Sequence, residues 1–591
     1  MKSKDAIRNT ILAYTNQIWG VKKVERLDPL IQMMVEALTN ELYLIQNKLN
    51  DIDASLLEKI AQRLTPEKYT SIRPAHTILR IKPNYHTLLL EQSNPFTLEW
   101  LPDKFVDRNV DTVLFHPVTD TYLHNIKIEN LFYYNRLYFI DNNGHKKIAT
   151  DTRRMDSNSV WLGISVGPEI KNLKGVSFFI DFPKLSEIDE LYEILSYIKC
   201  FINGKEVPLK QGFPLFSKEQ PTGSDRDILL YYNDHYLTIE EILDIKSLKA
   251  EKIPSELKDI IDTEAVEEMD PKYWIKLQFL PYFTADILKD ITIDVNTFPV
   301  SNKKLLKTTV IQSSLSKITT LPTGSGEKLL FVDAMVDNRG RDFVSDMIAD
   351  NSGAGTYHIE ITNSVFIEEL TLADYVEQLL DLIDDERTVF SGINRDMVTL
   401  TLSSLTEMRD KVARKVDSDY RDKKSVARLS VNPYENTISV NVDYWATYGK
   451  DLNNIPAGKA FAPDKTTKLN GLMAVSLCEV HGAREFSDIQ DIMSINKYIF
   501  TSKDRIVTEH DIKCFCESEL GQAVEKVEVG LGEKISPKPR EGIIRVIDIS
   551  LTPSAGTLNS LYQKGFLKSL KVRLQERSSA DYIYNIKISK L

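Results

Sequence analysis

The stretch from Arg26 to Pro74, RLDPLIQMMVEALTNELYLIQNKLNDIDASLLEKIAQRLTPEKYTSIRP, constrains this chain most. Asp28 before Pro29 is a helix start, a capping side chain followed by proline at the first helical position. Apolar residues then recur at Ile31, Val35, Leu38, Leu42, Ile45 and Leu49, alternately four and three apart, with Met34 and Leu30 widening the stripe. Ser55 with Glu58 forms a capping box for a second helix, whose apolar side is Leu56, Leu57, Ile60 and Leu64. Thr65-Pro66 ends it, because a residue before proline is driven out of the helical region. Two readings stand: a helical hairpin folded on its own domain, or a helix pair that bundles with another subunit through Ile31, Met34, Val35, Leu38, Leu42, Ile45 and Leu49.

A chain of 591 residues is too long for one core and implies roughly three to five domains. A hydrophobic fraction of 42% and a charged fraction of 27% are those of an ordinary globular protein. The net charge of -11 disfavours a nucleic-acid partner. Four scattered cysteines, Cys200, Cys478, Cys514 and Cys516, make no disulfide framework and no zinc or redox spacing. The opening MKSKDAIRNTILAYTNQIWG interrupts its apolar residues too often to read as a secretory signal. No stretch approaches the roughly 20 apolar residues of a membrane span, so a cytoplasmic protein is expected.

After Pro74 the hydrophobic period changes from helical to two. Thr77–Ile81, Phe96–Trp100, Thr112–Phe115, Asn125–Leu131, Arg136–Ile140, Val160–Ile164 and Val176–Ile180 read as strands, which predicts a β-sandwich or barrel over about 76–182. A helix over Ser186–Ile198 interrupts it, followed by a hairpin turning at Asn203-Gly204. Residues 238–268 read as a charged, solvated helical insertion. A second β-rich block opens at Trp274, and helix returns over 367–417 with the acidic run Asp381–Glu386, read as a solvated face. A third β block spans Ala427–Val480. At the C-terminus, Thr508 with Asp511 caps a helix through Leu520, and strands at Val524–Val529, Ile544–Leu551 and Tyr582–Ile588 flank a helix over Leu558–Leu574. The predicted class is therefore a multidomain α+β chain. It divides into a helical bundle-forming region (1–75), a first β-rich domain with helical insertions (76–270) and a second (271–366), with the β domains sandwich-like. A helical segment with a third β block (367–496) and a small α+β domain (497–591) follow.

Catalytic signatures do not emerge. The nine histidines fall in no HExxH or HxH spacing, no GxSxG elbow occurs, and Gly324-Ser-Gly326 and Gly353-Ala-Gly355 lack the frame of a phosphate cradle. Abundant carboxylates sit in charge runs, which leaves a β-sandwich enzyme such as a glycosidase only as a remote alternative. No catalytic residue, metal ligand or cofactor is assigned.

Four short passages carry a resemblance. Leu64-Thr-Pro-Glu-Lys-Tyr followed by Arg73-Pro-Ala-His76 leads from helix into strand. Asn296-Thr-Phe-Pro-Val-Ser-Asn302 follows in mid-chain, and Trp445-Ala-Thr-Tyr-Gly449 lies within VDYWATYGKDLNNIPAG. Arg505-Ile-Val-Thr508 with Asp511 is the fourth. The first three resemble passages of the TssF family, a baseplate subunit of type VI secretion systems, including its N-x-F-P-V-x-N run at Phe298, Pro299, Val300 and Asn302. Its W-x-T-N-G run departs here, with Tyr448 in place of asparagine. The fourth, at Arg505, Val507, Thr508 and Asp511, is similar to the R-x-V-T-x-x-D passage of phage baseplate wedge proteins of the Baseplate J type. Lys303 and Lys304 stand where the family is apolar, marking a distant branch. The resemblance implies a non-catalytic wedge component: two TssF copies joining one TssG, with TssK and TssE alongside, around the hub at the cytoplasmic face of the inner membrane. A baseplate protein of a phage-tail-like or extracellular contractile injection system is the alternative it leaves open.

Overall fold

The fold is that of a computed structural model. It describes residues 72–362 and 426–589, apart from 84–86, 101–110, 134–135, 141–145, 152–157, 184–188, 216–220, 222, 259–268, 312–318, 325, 346–352, 465–468, 470–471, 486–488 and 555–564. In the N-terminal region it describes only 8, 10–12, 35–36, 38–40 and 42–43, all helical. The expected second helix at 55–64, the turn at 141–144 and the helix at 367–417 with its acidic run lie outside the described residues.

The period-two passages form strands because alternate side chains of an extended chain reach one face. In order these are β1 (His76–Ile81), β2 (Leu88–Leu90), β3 (Phe96–Trp100), β4 (Asp111–Pro117), β5 (Thr121–Leu123), β6 (Ile126–Tyr133), β7 (Arg136–Ile140), β8 (Lys146–Asp151), β9 (Ser159–Val166) and β10 (Ser177–Asp181). Next come α1 (Asp189–Glu193), β11 (Lys199–Ile202), β12 (Lys205–Val207), β13 (Leu209–Gln211), α2 (Gly223–Asn233), β14 (Tyr236–Ile239), β15 (Tyr273–Gln278), α3 (Ala285–Leu288), β16 (Thr292–Val295) and β17 (Thr297–Asn302). A third group is β18 (Lys304–Ile311), β19 (Thr319–Thr320), β20 (Lys328–Asp337), β21 (Val344–Ser345), β22 (Thr356–Thr362), β23 (Val426–Asn432) and β24 (Ser439–Thr447). The chain then runs through β25 (Ala460–Pro463), β26 (Ala474–Ser476), α4 (Ile489–Ser502), α5 (Glu509–Leu520), β27 (Val524–Ile535), β28 (Ile543–Pro553), α6 (Phe566–Arg577) and β29 (Tyr584–Ile588).

Residues 76–182 do not close on themselves as one sandwich or barrel. Their strands divide among several sheets, completed by distant parts of the chain. A closed barrel has the order β1-β17-β4-β3-β25-β26, so the strand at 297–302 and two from 460–476 are needed to shut it. Its interior is filled by Leu79, Phe96, Phe115, Phe298, Val300 and Phe461, and Tyr231 and Tyr232 of α2 pack against the same core. A seven-stranded sheet, β12-β11-β15-β9-β6-β7-β8, lies over a four-stranded one, β13-β14-β10-β16. Leu162, Ile164 and Leu277 from the first share one core with Phe178, Ile180 and Ile293 from the second. Strand pairing thus runs across the expected boundary at 270/271. It also crosses 366/367, where β18-β24-β20 and β19-β23-β22-β21 enclose Val310, Leu429, Val442 and Tyr444. The cause is physical: alternation reports which face of a strand is buried and says nothing about which strand lies beside it.

The segment 238–258 is not a solvated helix. It completes β14 and then makes two short 3-10 turns at Ile245–Ser247 and Ser255–Leu257. Ile253 and Leu257 are buried with Trp161 and Trp274 against the seven-stranded sheet. The Asn203-Gly204 hairpin does form: both residues have positive φ, 50° and 77°, and Ile202 faces Lys205 across the turn.

One residue passes the chain from sheet to sheet. Asn296, between β16 of the four-stranded sheet and β17 of the barrel, takes φ 56°, a conformation asparagine tolerates better than most residues. Its side-chain amide donates to the carbonyls of His124 and Ile126 at 2.8 and 2.9 Å and accepts from the His124 amide at 2.8 Å. The bend is therefore pinned to the start of β6. The C-terminal part is a small α+β unit, β27-β28-β29 with α4, α5 and α6 around a core of Phe515, Ile549, Leu551, Leu570, Leu574 and Tyr584.

Candidate functional site

Phe298, Pro299, Val300 and Asn302 all lie in β17 and are buried, so this passage acts through the barrel and not through a surface. Proline is tolerated here because its nitrogen and carbonyl point toward the end of β4, where the Val118 amide donates to the Pro299 carbonyl at 3.0 Å. Asn302 does the connecting. Its amide nitrogen donates to the Leu114 carbonyl at 2.8 Å, tying β17 to β4. Its oxygen accepts from the Thr447 hydroxyl at 2.8 Å and the Tyr448 amide at 2.9 Å, tying the barrel to the end of β24. Two passages about 145 residues apart in sequence thus meet at one buried amide. Gly449, two residues on, has φ 64°, and a Cβ there would come within 2.3 Å of the Glu485 carboxylate, so the position requires glycine.

The two lysines that follow are accounted for by partners. Lys303 pairs with Asp225 of α2, and its ammonium lies 4.9 Å from the centroid of the Trp445 ring. Burial, then the Lys303 charge, pushes the nearby His116 imidazole down to about 3, so it is neutral at physiological pH. Lys304 pairs with Glu327 at 2.7 Å.

A second connection joins the barrel entrance to the C-terminal unit. Arg73 and Arg484 exchange backbone hydrogen bonds of 2.9 and 3.3 Å, which brings both guanidiniums toward Glu519 of α5. Arg73 grips that carboxylate with both terminal nitrogens, at 2.6 and 2.5 Å. Arg573 of α6 donates to it at 2.7 Å, and Arg484 approaches to 3.6 Å. Burial alone would raise the Glu519 carboxyl, but Arg573, Arg73 and Arg484 overcome it and hold the group well below the ordinary range. The arginines fare unequally. Against the cost of burial, Glu519 lifts Arg73, whereas burial and the Arg73 charge press Arg573 down to about 9, and burial presses Arg484 to about 10.

Thr508 and Asp511 form the capping box of α5. The Asp511 amide donates to the Thr508 hydroxyl at 3.2 Å, and the Asp511 carboxylate accepts from the Thr508 amide at 2.9 Å and the Val507 amide at 3.2 Å. Arg505 and Val507 are exposed beside it.

Of the seven residues in the N-terminal stripe, Ile31, Met34, Ile45 and Leu49 lie outside the described residues. Val35 is buried, while Leu38 and Leu42 are 51% and 40% exposed on a helix. Arg8 pairs with Glu36 at 2.5 Å across the two helical stretches.

Sequence reasoning missed three features. The Glu519 cluster combines residues from four distant passages, and no spacing announces it. A cavity of about 950 Å³ beside it, lined from the barrel entrance, α2 and the C-terminal helices, has the same origin. The third is the ribbon of β27 and β28: β29 supports it only at Ile547–Leu551, and farther out Leu531, Ile535 and Ile543 are 94%, 77% and 71% exposed. Alternation along Val527, Val529, Leu531 and Ile535 is the signal that could have found it.

Among the described residues no group of three or more metal-ligating side chains converges, and no helix is long and apolar enough to cross a membrane. No family model matches the chain, and no curated protein matches it. Among solved structures, it is similar to a chain of the type VI secretion system TssK-TssF-TssG baseplate subcomplex, over 94% of its own length and 96% of that chain, at 10% identity and a TM-score of 0.46. It is also similar to a chain of the baseplate complex from the type VI secretion system, over 99% of its own length and 96% of that chain, at 12% identity and a TM-score of 0.40.

Proposed function

We propose that this chain is a structural, non-catalytic subunit of a type VI secretion baseplate, occupying the place of TssF in a wedge. The observation that carries the reading is the Asn302 junction. The N-x-F-P-V-x-N passage and the W-x-T passage each resemble a passage of one family, and they are partners through a single buried amide. Two independent chance likenesses have no reason to meet. On this reading the partners are TssG, TssK, TssE and a second copy of the chain, with hub and sheath beyond them, in the cytoplasm at the inner membrane.

The N-terminal helices are the proposed contact with TssG. Leu38 and Leu42 are exposed on a helix whose stripe could bury part of a standard interface of roughly 1,200–2,000 Å². Co-expression with TssG and affinity purification test this. Leu38→Asp with Leu42→Asp is expected to abolish co-purification while leaving the circular dichroism of the free chain unchanged. A double variant that still co-purifies in full overturns the assignment of that contact. A wild-type chain that never enters a complex with TssG or TssK overturns the functional reading.

A further inference from the structure

The ribbon leaves one long edge of the C-terminal sheet open. The strand order is β27-β28-β29, so β28 is flanked on both sides and β27 on one. At twelve residues β27 is about twice the usual strand length. Its register with β28 fixes which backbone groups are already used. The Ser536 amide donates to the Gly542 carbonyl at 2.8 Å, while Ile547, opposite Leu531, turns its amide away from β27 to the Ile583 carbonyl at 2.9 Å. Even-numbered residues of β27 therefore bond to β28, and Val527, Val529, Leu531, Glu533 and Ile535 direct their amides and carbonyls outward. Among the described residues no strand pairs with that side.

Folded chains blunt such an edge with proline or a bulge. Here the register runs unbroken from Lys526 to Ile535, without proline, and Glu528, Gly530, Leu531, Glu533 and Ile535 are exposed. Gly530 is a second sign. A Cβ placed on it would meet nothing within 4 Å, so nothing inside the chain calls for glycine, and a strand glycine often marks the close approach of another backbone.

The residues of the edge indicate which strand fits it. When a second β27 is laid antiparallel with Leu531 on the two-fold axis, the outward groups of Leu531 meet those of its counterpart, Val529 meets Glu533 and Val527 meets Ile535. Between them Glu528 falls opposite Lys534, twice by symmetry, and Gly530 opposite Gly532. Other registers are poorer. An axis at Gly530 sets Lys526 against Lys534, one at Glu533 sets that carboxylate against itself, and one at Gly532 forms no pair of opposite charges.

We propose that two copies of this chain pair edge to edge through β27, joining their sheets in the order β29-β28-β27-β27-β28-β29 across a two-fold axis at Leu531. The backbone carries the contact, so Leu531, Ile535 and Ile543 keep their places on the open face of the joined sheet. Glu528 lies 2.6 Å from Lys526 of its own strand, but both are exposed, and the carboxylate can turn to Lys534 of the second copy. The contact needs no other subunit, so it stands or falls separately from the baseplate reading.

Sedimentation equilibrium of the purified full chain tests the pairing, with circular dichroism checking that each variant folds. The wild type should show a reversible monomer–dimer equilibrium. Lys534→Glu places two like-charged pairs across the axis and should weaken the dimer about tenfold or more, as should Glu528→Lys. Combining the two exchanges reverses the pair and should restore the dimer to within about threefold of the wild type, a rescue that contact through another face would not give. A chain that stays monomeric at every concentration overturns the proposal. A dimer that K534E leaves undiminished, or that the combined variant fails to restore, overturns it as well.

Discussion

Glu519→Gln is the sharpest probe of how the C-terminal unit is held to the barrel. Glutamine keeps the size and one acceptor but removes the charge, leaving Arg73, Arg484 and Arg573 facing one another around a neutral amide. Breaking a buried pair by deleting one partner costs about 3–5 kcal/mol. The side chains of Arg73 and Arg484 retain 22% and 19% of their exposure, so water relieves part of the repulsion and the lower end applies. About 3 kcal/mol is roughly a hundredfold in the local opening equilibrium. Hydrogen–deuterium exchange with mass spectrometry reads this directly, as a loss of amide protection in α5 and α6 by about that factor relative to the wild type. Glu517→Gln is the matched control: its partner Lys497 is half exposed at 2.9 Å, and surface pairs contribute about 0–1 kcal/mol. The sign of the pH dependence follows from the depressed Glu519 carboxyl. Its contribution is complete above the ordinary value of 4.5 and is lost as pH falls below that toward the folded value, so the gap between wild type and E519Q narrows in acid. If E519Q protects α5 and α6 as well as E517Q does at neutral pH, the cluster does not hold the unit in place and the reasoning fails.

Asn302→Ala leaves the Leu114 carbonyl, the Thr447 hydroxyl and the Tyr448 amide without their partner, at about 1–3 kcal/mol for each group that stays buried. A drop of several degrees in the first thermal transition is expected, and an unchanged melt would show that the junction is dispensable. Thr508→Ala removes the hydroxyl that accepts from Asp511, with an expected loss of about 1 kcal/mol in the stability of α5, measured by urea unfolding. Replacing Leu531, Ile535 and Ile543 together by threonine is expected to change stability by less than about 0.5 kcal/mol per site, because these side chains are exposed; a large loss of melting temperature would show that the ribbon is packed in solution. Elemental analysis of protein purified in metal-free buffer is expected to find no stoichiometric zinc or calcium, and either metal at one equivalent would contradict the reading of the carboxylate runs.

What the sequence disclosed was local. The alternation of Thr437–Trp445 needs only the strand's own residues, and the Thr508–Asp511 box and the Asn203-Gly204 turn are closed within four residues. What it hid was non-local. Nothing in Phe461 or Ala474 says that their strands shut a barrel begun at His76, because a pairing partner leaves no mark on periodicity. Residues 238–258 failed for a related reason. Glu240, Glu241 and Lys246 suggest a solvated helix, yet Leu243, Ile253 and Leu257 are spaced for no regular element and are buried in turns. α2 was missed altogether, since its buried Ile228, Leu229, Tyr231 and Tyr232 make a crowded apolar run instead of a clean stripe.

The same division separates the two kinds of site residue. Phe298, Val300 and Asn302 were legible as a motif, and they prove to be buried parts of a joint. A joint of this kind needs fixed residue types at fixed spacing, because a close-packed interior tolerates few alternatives. Exposed apolar positions carry no such requirement: Leu38, Leu531 and Ile543 could be replaced by other apolar residues with little change in the surface they present. A motif search therefore finds internal joints first. Exposed apolar faces must instead be found as what is left open once the joints are drawn. In this chain those faces sit at opposite ends of the sequence, on the N-terminal helix and the β27–β28 ribbon, with the Asn302 and Glu519 junctions linking the parts between them.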